Sequence, residues 1–360
     1  MEAKGQKRVG GGRIVWLDVA RGLAILLLVS NHATQQLELY GWDIGVLRQL
    51  NQLMVPIRQP LFFIVAGLLL SSYLTGQSRA SHLSRRLLPL AWIFLVWSTI
   101  WWLAFMVLPQ TADRQANPIP DPLSAFINPT SPLWFVYAVM LYIIYMIATW
   151  RLPGYVVLGM AAVVSLLFRY QVVRVGDSFH WVSIGSHLVF FVAGMVLAER
   201  LSRLQSNSSW PKVAVVTMGM VVGVVGTSLL GRSIFPVEGL PRYVLSFVGA
   251  ALGLLVAGVV ARKGFIAALI ARAGKESLPI YVMHTLIMAS MLAVLSVGVS
   301  VGGATDGSRL QSAAEELGPI AAIITWIALF LVSVLGSITL GRLFRTHLPV
   351  VFRPPQLMRR

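Results

Sequence analysis

The sequence contains no cysteine, and only 12% of its 360 residues are charged. The absence of cysteine excludes disulfide bonds, thiolate metal sites and a thioester intermediate on the protein itself. The scarcity of charge excludes an ordinary soluble domain, in which about a quarter of the residues are charged. Because 57% of the residues are apolar, we expect the lipid bilayer to be the solvent of this chain.

The net charge of +16 does not indicate a nucleic-acid-binding protein. The 29 lysines and arginines occur as short clusters between long apolar runs, and they do not form one basic block. Short basic connections between apolar segments are typical of the cytoplasmic loops of membrane proteins. No nucleic-acid partner is therefore expected.

Ten apolar runs are long enough to cross a hydrocarbon core of about 30 Å, although the fifth is short. They predict an all-α fold, a polytopic integral membrane protein with about ten transmembrane helices. The predicted spans are 14–35, 55–75, 87–108, 132–149, 154–169, 185–201, 212–231, 242–261, 277–299 and 319–343. The first run contains Asp18 and Arg21 and lacks a small-residue cleavage site, which predicts a retained span and not a cleaved signal peptide.

The distribution of lysine and arginine predicts the orientation. With the N-terminus inside, twenty of these residues fall in inside segments and eight, including Arg48 and Arg58, fall in outside segments. This excess places both termini in the cytoplasm of a cell whose membrane the chain crosses many times. The predicted organisation is a cytoplasmic basic segment 1–13, a transmembrane domain 14–345 and a cytoplasmic basic tail 346–360.

The first span carries three ionisable residues, which are costly in a bilayer and are therefore candidates for function. Arg21 and His32 are eleven residues apart, so they share one helix face and are separated by about 16–17 Å along the axis. This face presents a cation in the cytoplasmic half and an imidazole in the outer half, as along a passage through the bilayer. Two plainer interpretations stay open: Asp18 and Arg21 neutralise each other, and His32 is a polar residue at the outer headgroup level.

A further histidine, His284, lies about seven residues into the ninth span. Counting from the predicted cytoplasmic end of that span places it nearer to the level of Arg21 than to that of His32. It is either part of a ligand path or a buried histidine that only packs.

Charged and aromatic residues mark the ends of two other spans. Arg85 and Arg86 begin the third span at its inside end. They either bind phosphate oxygens or anchor the span at anionic lipid headgroups. Trp134, Phe135 and Tyr137 begin the fourth span at its outer end, where they form either an interfacial aromatic belt or a wall on which a substrate stacks.

Five short motifs occur in an order that resembles one known family. They are Leu17–Ala24 (LDVARGLA) followed by His32, Pro60–Gly67 (PLFFIVAG), Arg85–Pro89 (RRLLP), Leu133–Tyr137 (LWFVY), and Gly274–Tyr281 (GKESLPIY) followed by His284. Along nearly the whole chain they resemble the membrane-bound acyltransferase-3 family. Its members move acyl groups, often acetyl, onto cell-envelope carbohydrates and related acceptors. The spacing from Arg21 to His32 fits that family's Arg-x10-His signature.

The chain departs from the family's pattern at two positions. Ala66 stands where the family usually has serine, so a hydroxyl at this position is not essential in this protein. The family's Arg-x-x-Arg pattern before the third span is not intact, because Leu83 takes the place of one arginine.

The resemblance implies acyl transfer from cytoplasmic acyl-CoA, expected to be acetyl-CoA, across a bacterial cytoplasmic membrane. The implied acceptor is a hydroxyl of an envelope glycan, a glycolipid or a related molecule at the outer face. On this hypothesis His32 is the general base on the acceptor hydroxyl, or it carries the acyl group transiently. Arg21 holds the donor or developing negative charge, and Asp18 orients Arg21. No metal and no permanently bound cofactor is expected.

The remaining candidate residues divide between the two substrates. Those expected to bind the acyl-CoA donor are Arg85, Arg86, Tyr281 and His284. Those expected to face the acceptor are Trp134, Phe135 and Tyr137.

The alternative function is a proton-coupled transporter or flippase of a glycolipid or polar metabolite. Mid-membrane aspartate, arginine and histidine also suit such a carrier. The sequence shows no pair of matching broken helices in two halves, which is the usual mark of an inverted repeat. A lipid-linked glycan polymerase, the third option, usually has a long charged outer loop, and no connection here is much longer than about twenty residues.

Overall fold

The computed structural model describes residues 15–42, 44–74, 79–108, 120–129, 132–175, 179–234, 240–299 and 308–355. Within these ranges the chain is helical and contains no strand, in agreement with the predicted all-α class. The α-helices of six or more residues are α1 Val15–Leu39, α2 Gly45–Leu53, α3 Val55–Leu70, α4 Arg79–Ser84, α5 Leu87–Val107, α6 Trp134–Ala148, α7 Gly154–Arg169, α8 Phe179–Val196, α9 Ala198–Ser206, α10 Trp210–Ile234, α11 Leu240–Val260, α12 Gly264–Lys275, α13 Ser277–Val299 and α14 Ser308–His347. The predicted basic segment 1–13 lies outside the described residues.

Seven helical spans in the described part of the chain are long and apolar enough to cross a membrane. An eighth results if α2 and α3, which meet at a bend of 47°, are counted as one span. α6 and α7 are also apolar but have only 15 and 16 residues. The chain is therefore a helical membrane protein, and each of the ten predicted segments contains a helix. The number of ten spans and the cytoplasmic location of both termini stay predictions.

Two predicted boundaries are wrong. The helix expected over 185–201 begins earlier, at Phe179, and is interrupted at Leu197. The helix expected from residue 319 begins at Ser308 and is kinked at Gly318, whose φ of 71° is in the left-handed region that glycine adopts readily. Apolar runs locate a helix in the sequence, but polar residues extend it beyond the apolar run.

α1 is the central helix of the described bundle. It packs against α3, α11, α12, α13 and α14. Its buried residues are mostly small or branched and include Val19, Ala20, Ala24, Ile25 and Val29. Small side chains at such contacts let backbones approach closely, which favours helix association in membranes. The ionisable residues of α1 consequently lie inside the bundle and not on its lipid-facing surface.

The sequence analysis missed α12, whose residues were counted as an inside connection. Ala267 and Ala271 are buried in the bundle, whereas Phe265, Ile266 and Leu269 are 82, 54 and 58% exposed. In a bilayer these exposed apolar side chains contact lipid, while the alanines allow α12 to lie close to α1.

Two glycines permit the close approach of α12 to α1. A Cβ atom at Gly22 would collide with the carbonyl oxygen of Ile270, and a Cβ atom at Gly274 would collide with the carbonyl oxygen of Asp18. Backbone cannot move aside as a flexible side chain can, so only glycine fits at either position. The contact fixes the beginning of α1, which carries Asp18 and Arg21.

A second group of helices surrounds α3. This helix packs against α8 and α11 as well as α1, and α8 packs in turn against α7. α6 is attached through tyrosine hydroxyls: Tyr142 donates to the carbonyl of Ile184 in α8, and Tyr145 donates to that of Val157 in α7 at 2.8 Å. α3 and α6 thereby bring their aromatic residues next to α1 and α13.

Candidate active site

His32 on α1 and His284 on α13 form a hydrogen-bonded pair. The Nδ1 atom of His32 lies 2.7 Å from the Nε2 atom of His284. The two rings are parallel within 6°, with centroids 5.0 Å apart. His284 is only 1% exposed, whereas His32 is partly exposed and lines a cavity. Only His32 can therefore meet a ligand in that cavity.

The partners of His284 determine which nitrogen of His32 is basic. The Nδ1 atom of His284 lies 2.8 Å from the carbonyl oxygen of Ile280, which can only accept a hydrogen bond. Nδ1 of His284 therefore carries the proton, and Nε2 of neutral His284 accepts a hydrogen bond from His32 Nδ1. In this network-based assignment, Nε2 of neutral His32 carries the lone pair and can act as a base.

The position of His284 corrects an expectation from the sequence. It was placed nearer to the level of Arg21 than to that of His32, and the contact with His32 shows that this depth is wrong. The hydrogen bond between Arg21 and Ser277 shows that these two residues lie at the same level of α1 and α13. His32 follows Arg21 by eleven residues, and His284 follows Ser277 by seven. The difference of four residues, about 6 Å, is bridged by the lengths of the two side chains.

Polar side chains hold the part of α1 that carries His32. Asn51 on α2 donates from Nδ2 to Thr34 Oγ1 at 2.7 Å, and its Oδ1 accepts from the hydroxyl of Ser30 at 3.3 Å. The indole of Trp326 on α14 donates to the same Thr34 oxygen at 3.1 Å. Residues on both sides of His32 are thus tied to neighbouring helices, which limits the movement of its ring.

The local structure of α13 explains the placement of His284. α13 begins at Ser277 and carries Pro279 in its first turn, where backbone N–H groups have no helical acceptor and proline is tolerated. The buried indole of Trp101 donates to the carbonyl of Val282 at 3.0 Å. This bond holds the turn immediately before His284.

Arg21 connects the beginning of α1 with the beginning of α13. Its Nη2 atom donates to Ser277 Oγ at 2.7 Å, and its Nη1 atom is 4.0 Å from Asp18 Oδ1. Asp18 is buried, with 4% of its surface exposed. This geometry fits the expected orienting role of Asp18, although the roles of both residues stay predictions.

A cavity of about 290 Å³, the Arg21 cavity, lies between α1, α3, α5, α6 and α13. Its polar lining residues are Arg21, Arg86, Ser277 and Tyr281, and its other walls are apolar. These walls consist of Phe62, Val65, Ala66, Leu69, Leu70, Pro89, Leu90, Phe135, Val136, Val139, Ile143 and Leu278. The cavity therefore offers two guanidinium groups beside an apolar interior.

A second, much smaller cavity of about 20 Å³, the His32 cavity, contains the exposed part of His32. Its lining residues are Ala24, Leu28, His32, Arg58, Gln59, Phe62, Phe63, Pro132, Trp134, Phe135 and Tyr281. This volume has room for about one water-sized group.

Three aromatic side chains, Phe62, Phe135 and Tyr281, line both cavities and form a partition between them. The ring centroids of Phe62 and Phe135 are 4.3 Å apart, and those of Phe135 and Tyr281 are 5.6 Å apart. The hydroxyl of Tyr281 donates to the carbonyl of Pro132 at 2.6 Å and accepts from the Phe135 backbone N–H at 3.1 Å. Tyr281 thereby attaches α13 to the beginning of α6.

The other predicted site residues are only partly brought together. Arg85 and Arg86 are both exposed, but only Arg86 is among the lining residues of the Arg21 cavity. Trp134 and Phe135 line the His32 cavity. Tyr137 points elsewhere: it is buried, and its hydroxyl donates to the carbonyl of Phe126 at 2.8 Å.

Arg58 is the site residue that the sequence analysis missed, because it was counted as an outside topology charge. It lines the His32 cavity and is only 7% exposed. The sequence feature that could have indicated a buried position is that Arg58 lies between Pro56 and Pro60, next to the apolar run of the second span.

A family model described as an acyltransferase domain matches residues 14–342, nearly the whole chain. Comparisons with curated proteins and with solved structures give no significant match. The match covers both histidines, both cavities and the partition between them, and it supports acyltransferase activity. The chain belongs to the acyltransferase 3 family.

Proposed function

We propose that this protein transfers an acetyl group from acetyl-CoA in the cytoplasm to a hydroxyl group of an envelope glycan or glycolipid at the outer face of a bacterial cytoplasmic membrane. One observation carries this proposal. The Arg21 cavity, with two guanidinium groups, shares three aromatic lining residues with a second cavity that His32 lines. Donor and acceptor can thus approach the reacting atoms from opposite ends.

The Arg21 cavity suits the donor. Arg21 and Arg86 can form charge-assisted hydrogen bonds with phosphate oxygens of CoA, and the apolar walls suit the pantetheine arm. A volume of about 290 Å³ is at the low end for drug-sized ligands. The arm would therefore occupy this cavity while the larger nucleotide stays outside it.

His32 and His284 supply the proton chemistry. His32 Nε2 takes the proton from the acceptor hydroxyl, and the hydroxyl oxygen attacks the carbonyl carbon of the thioester. The carbon–sulfur bond then breaks, and the thiolate sulfur takes the proton back from His32. The products are the O-acylated acceptor and CoA with a free thiol. His284 acts as a positioning residue that holds His32 in the required tautomer.

The acetyl group and the outer acceptor are supported by two further observations. The His32 cavity of about 20 Å³ favours the smallest acyl group. The excess of lysine and arginine in the predicted inside segments places the Arg21 cavity towards the cytoplasm and His32 towards the outer face. Trp134, which lines the His32 cavity, offers a ring on which a sugar can stack.

The aromatic partition also favours group transfer over transport. A carrier must let an entire polar molecule pass, whereas a transferase needs only the acyl end of the donor to reach the acceptor. Phe62, Phe135 and Tyr281 pack between the two cavities, with neighbouring ring centroids 4.3 and 5.6 Å apart, and so narrow the path between them.

The test uses inside-out membrane vesicles that contain the wild-type chain, His32→Ala or His347→Ala. The control histidine, His347, is exposed at the end of α14. Acetyl-CoA labelled in the acetyl group is added, and label is measured in extracted glycans and lipids. Wild type and His347→Ala are expected to transfer label, and His32→Ala to transfer about 10²- to 10⁴-fold less.

Other outcomes would contradict the proposal in different ways. Equal transfer by His32→Ala would remove the catalytic role of His32. Uptake of labelled acetyl-CoA or of another solute without covalent labelling would indicate a carrier. Label bound to the protein before acceptor is added would identify an acyl-imidazole step on His32.

A further inference from the structure

Arg58 introduces a cationic side chain into the His32 cavity. It lies near the beginning of α3, 7% exposed, among apolar and aromatic residues. A buried guanidinium is costly inside a membrane protein unless it is paired or has a function. Its position therefore requires an explanation.

No partner for Arg58 is found among the described residues. Its Nε and Nη1 atoms are buried and form no hydrogen bond, and none of the ion pairs in the described ranges includes it. A topology anchor would reach the headgroups, and a structural arginine would bind a carboxylate or carbonyl. Arg58 does neither, and it lines the same small cavity as His32.

We propose that Arg58 stabilises the negative charge that develops on the carbonyl oxygen of the acyl group during transfer. This inference rests on the proposed function. When the acceptor oxygen bonds to the carbonyl carbon, the electron pair of the C=O double bond moves onto its oxygen. The buried N–H groups of Arg58 donate to that oxygen without giving up a proton. The charge returns to form C=O again as the carbon–sulfur bond breaks.

The size of the cavity favours this role over binding of an anionic group on the acceptor. A volume of about 20 Å³ holds about one water-sized group, such as a carbonyl oxygen. A carboxylate or phosphate group is larger than this volume, whereas a single oxygen atom fits it. Donors that are fixed and already desolvated are the most effective at a developing oxyanion.

The experiment compares Arg58→Gln and Arg58→Lys with a matched control, Arg48→Gln. Arg48 lies on α2, outside both cavities, where it is partly exposed and paired with Glu38. Initial rates are measured over a range of acetyl-CoA and acceptor concentrations in the vesicle assay. Folding is checked by size-exclusion chromatography of each variant in detergent.

Arg58→Gln is expected to lower kcat by about 10²- to 10³-fold, the range found for loss of one oxyanion donor. The KM values for both substrates should change by less than about 3-fold, because the interaction forms only in the transition state. The kcat of Arg58→Lys, which keeps one charged donor, should lie between that of Arg58→Gln and that of the wild type. The kcat and KM values of Arg48→Gln should equal those of the wild type.

Three results would overturn the inference. Unchanged kcat and KM in Arg58→Gln would show that the guanidinium does not act in the reaction. A raised acceptor KM with unchanged kcat would assign Arg58 to an anionic group of the acceptor. If Arg58→Gln does not assemble, Arg58→Met replaces it, and wild-type kcat in that variant would also contradict the inference. Absence of transfer by wild type itself would instead overturn the proposed function, and this inference with it.

Discussion

His32 and His284 are 252 residues apart in the sequence, and their facing ring nitrogens are 2.7 Å apart in the fold. This pair of side chains thus joins the first helix to one near the end of the chain. The more deeply buried ring, His284, donates from Nδ1 to the Ile280 carbonyl. Its Nε2 atom is therefore the acceptor for His32 Nδ1, so the backbone of α13 fixes the tautomer of His32 on α1. The arrangement resembles the orienting of a catalytic histidine by a buried acceptor.

Replacement of His284 should impair catalysis through His32. His284→Leu removes the acceptor for His32 Nδ1, and kcat should fall by at least about 10-fold, because loss of the correct tautomer costs up to about 10⁴ in triad enzymes. His284→Gln can still accept a hydrogen bond through its amide oxygen and should retain more activity than leucine. Initial rates in the vesicle assay measure both.

The matched control is the next residue on α13. Thr285 is buried and its hydroxyl has no hydrogen-bond partner in the described residues. Thr285→Val removes this unsatisfied group and should leave the rate unchanged. Equal activity of His284→Leu and Thr285→Val would contradict a positioning role for His284.

Arg85 and Arg86 should differ although they are neighbours in the sequence. Arg86→Gln should raise the KM for acetyl-CoA by about 10-fold or more, since a charge-assisted hydrogen bond contributes about 1.5–3 kcal/mol. Arg85→Gln should change the KM for acetyl-CoA by less than about 2-fold, because Arg85 is not among the lining residues of the Arg21 cavity. A larger effect at Arg85 would show that the phosphates bind elsewhere.

Gly22→Ala should destabilise the protein. The added methyl group meets the backbone of Ile270 in α12, and overpacking of this kind typically costs about 1–3 kcal/mol. The fraction of folded protein is measured by size-exclusion chromatography after detergent extracts are heated. Gly159→Ala is the control, since a Cβ atom there meets nothing within 4 Å. Equal heat resistance of the two variants would mean that the contact between α1 and α12 is not tight.

The absence of cysteine makes the predicted orientation directly testable. Ser124→Cys lies in a predicted outer connection and Ser206→Cys in a predicted inner one, and both serines are exposed. In intact cells a membrane-impermeant maleimide should label the first variant, and the second only after the membrane is opened. The reverse pattern would place the Arg21 cavity at the outer face and exclude cytoplasmic acetyl-CoA as its ligand.

Patterns within single helices predicted much of this fold. The apolar runs located all ten helical segments, and the eleven-residue spacing of Arg21 and His32 predicted their common face. α12 was missed because its apolar run, residues 265–271, is too short to cross a membrane and its basic residues indicated a loop. Its signal was the small residues Ala267, Ala271 and Gly274, which recur at helical spacing.

Contacts between distant helices could not be predicted from the sequence. The depth of His284 depends on how α13 is placed against α1, which no spacing within α13 encodes. Arg58 lies near the predicted outer end of the second span, where an arginine can serve as a topology charge, and only the packing of the helices shows that it is buried and lines the same cavity as His32. Tyr137 was grouped with Trp134 and Phe135 by sequence proximity, but residues 135 and 137 lie on different faces of a helix.

The three aromatic side chains between the two cavities have a consequence for the cell as a whole. A passage that reaches most of the way through a membrane risks leaking ions and protons, and thereby discharging the electrochemical gradient. Apolar constrictions exclude hydrated ions because water does not fill them readily. In the proposed reaction, Phe62, Phe135 and Tyr281 let a thioester be presented within the bilayer while the membrane remains an electrical insulator.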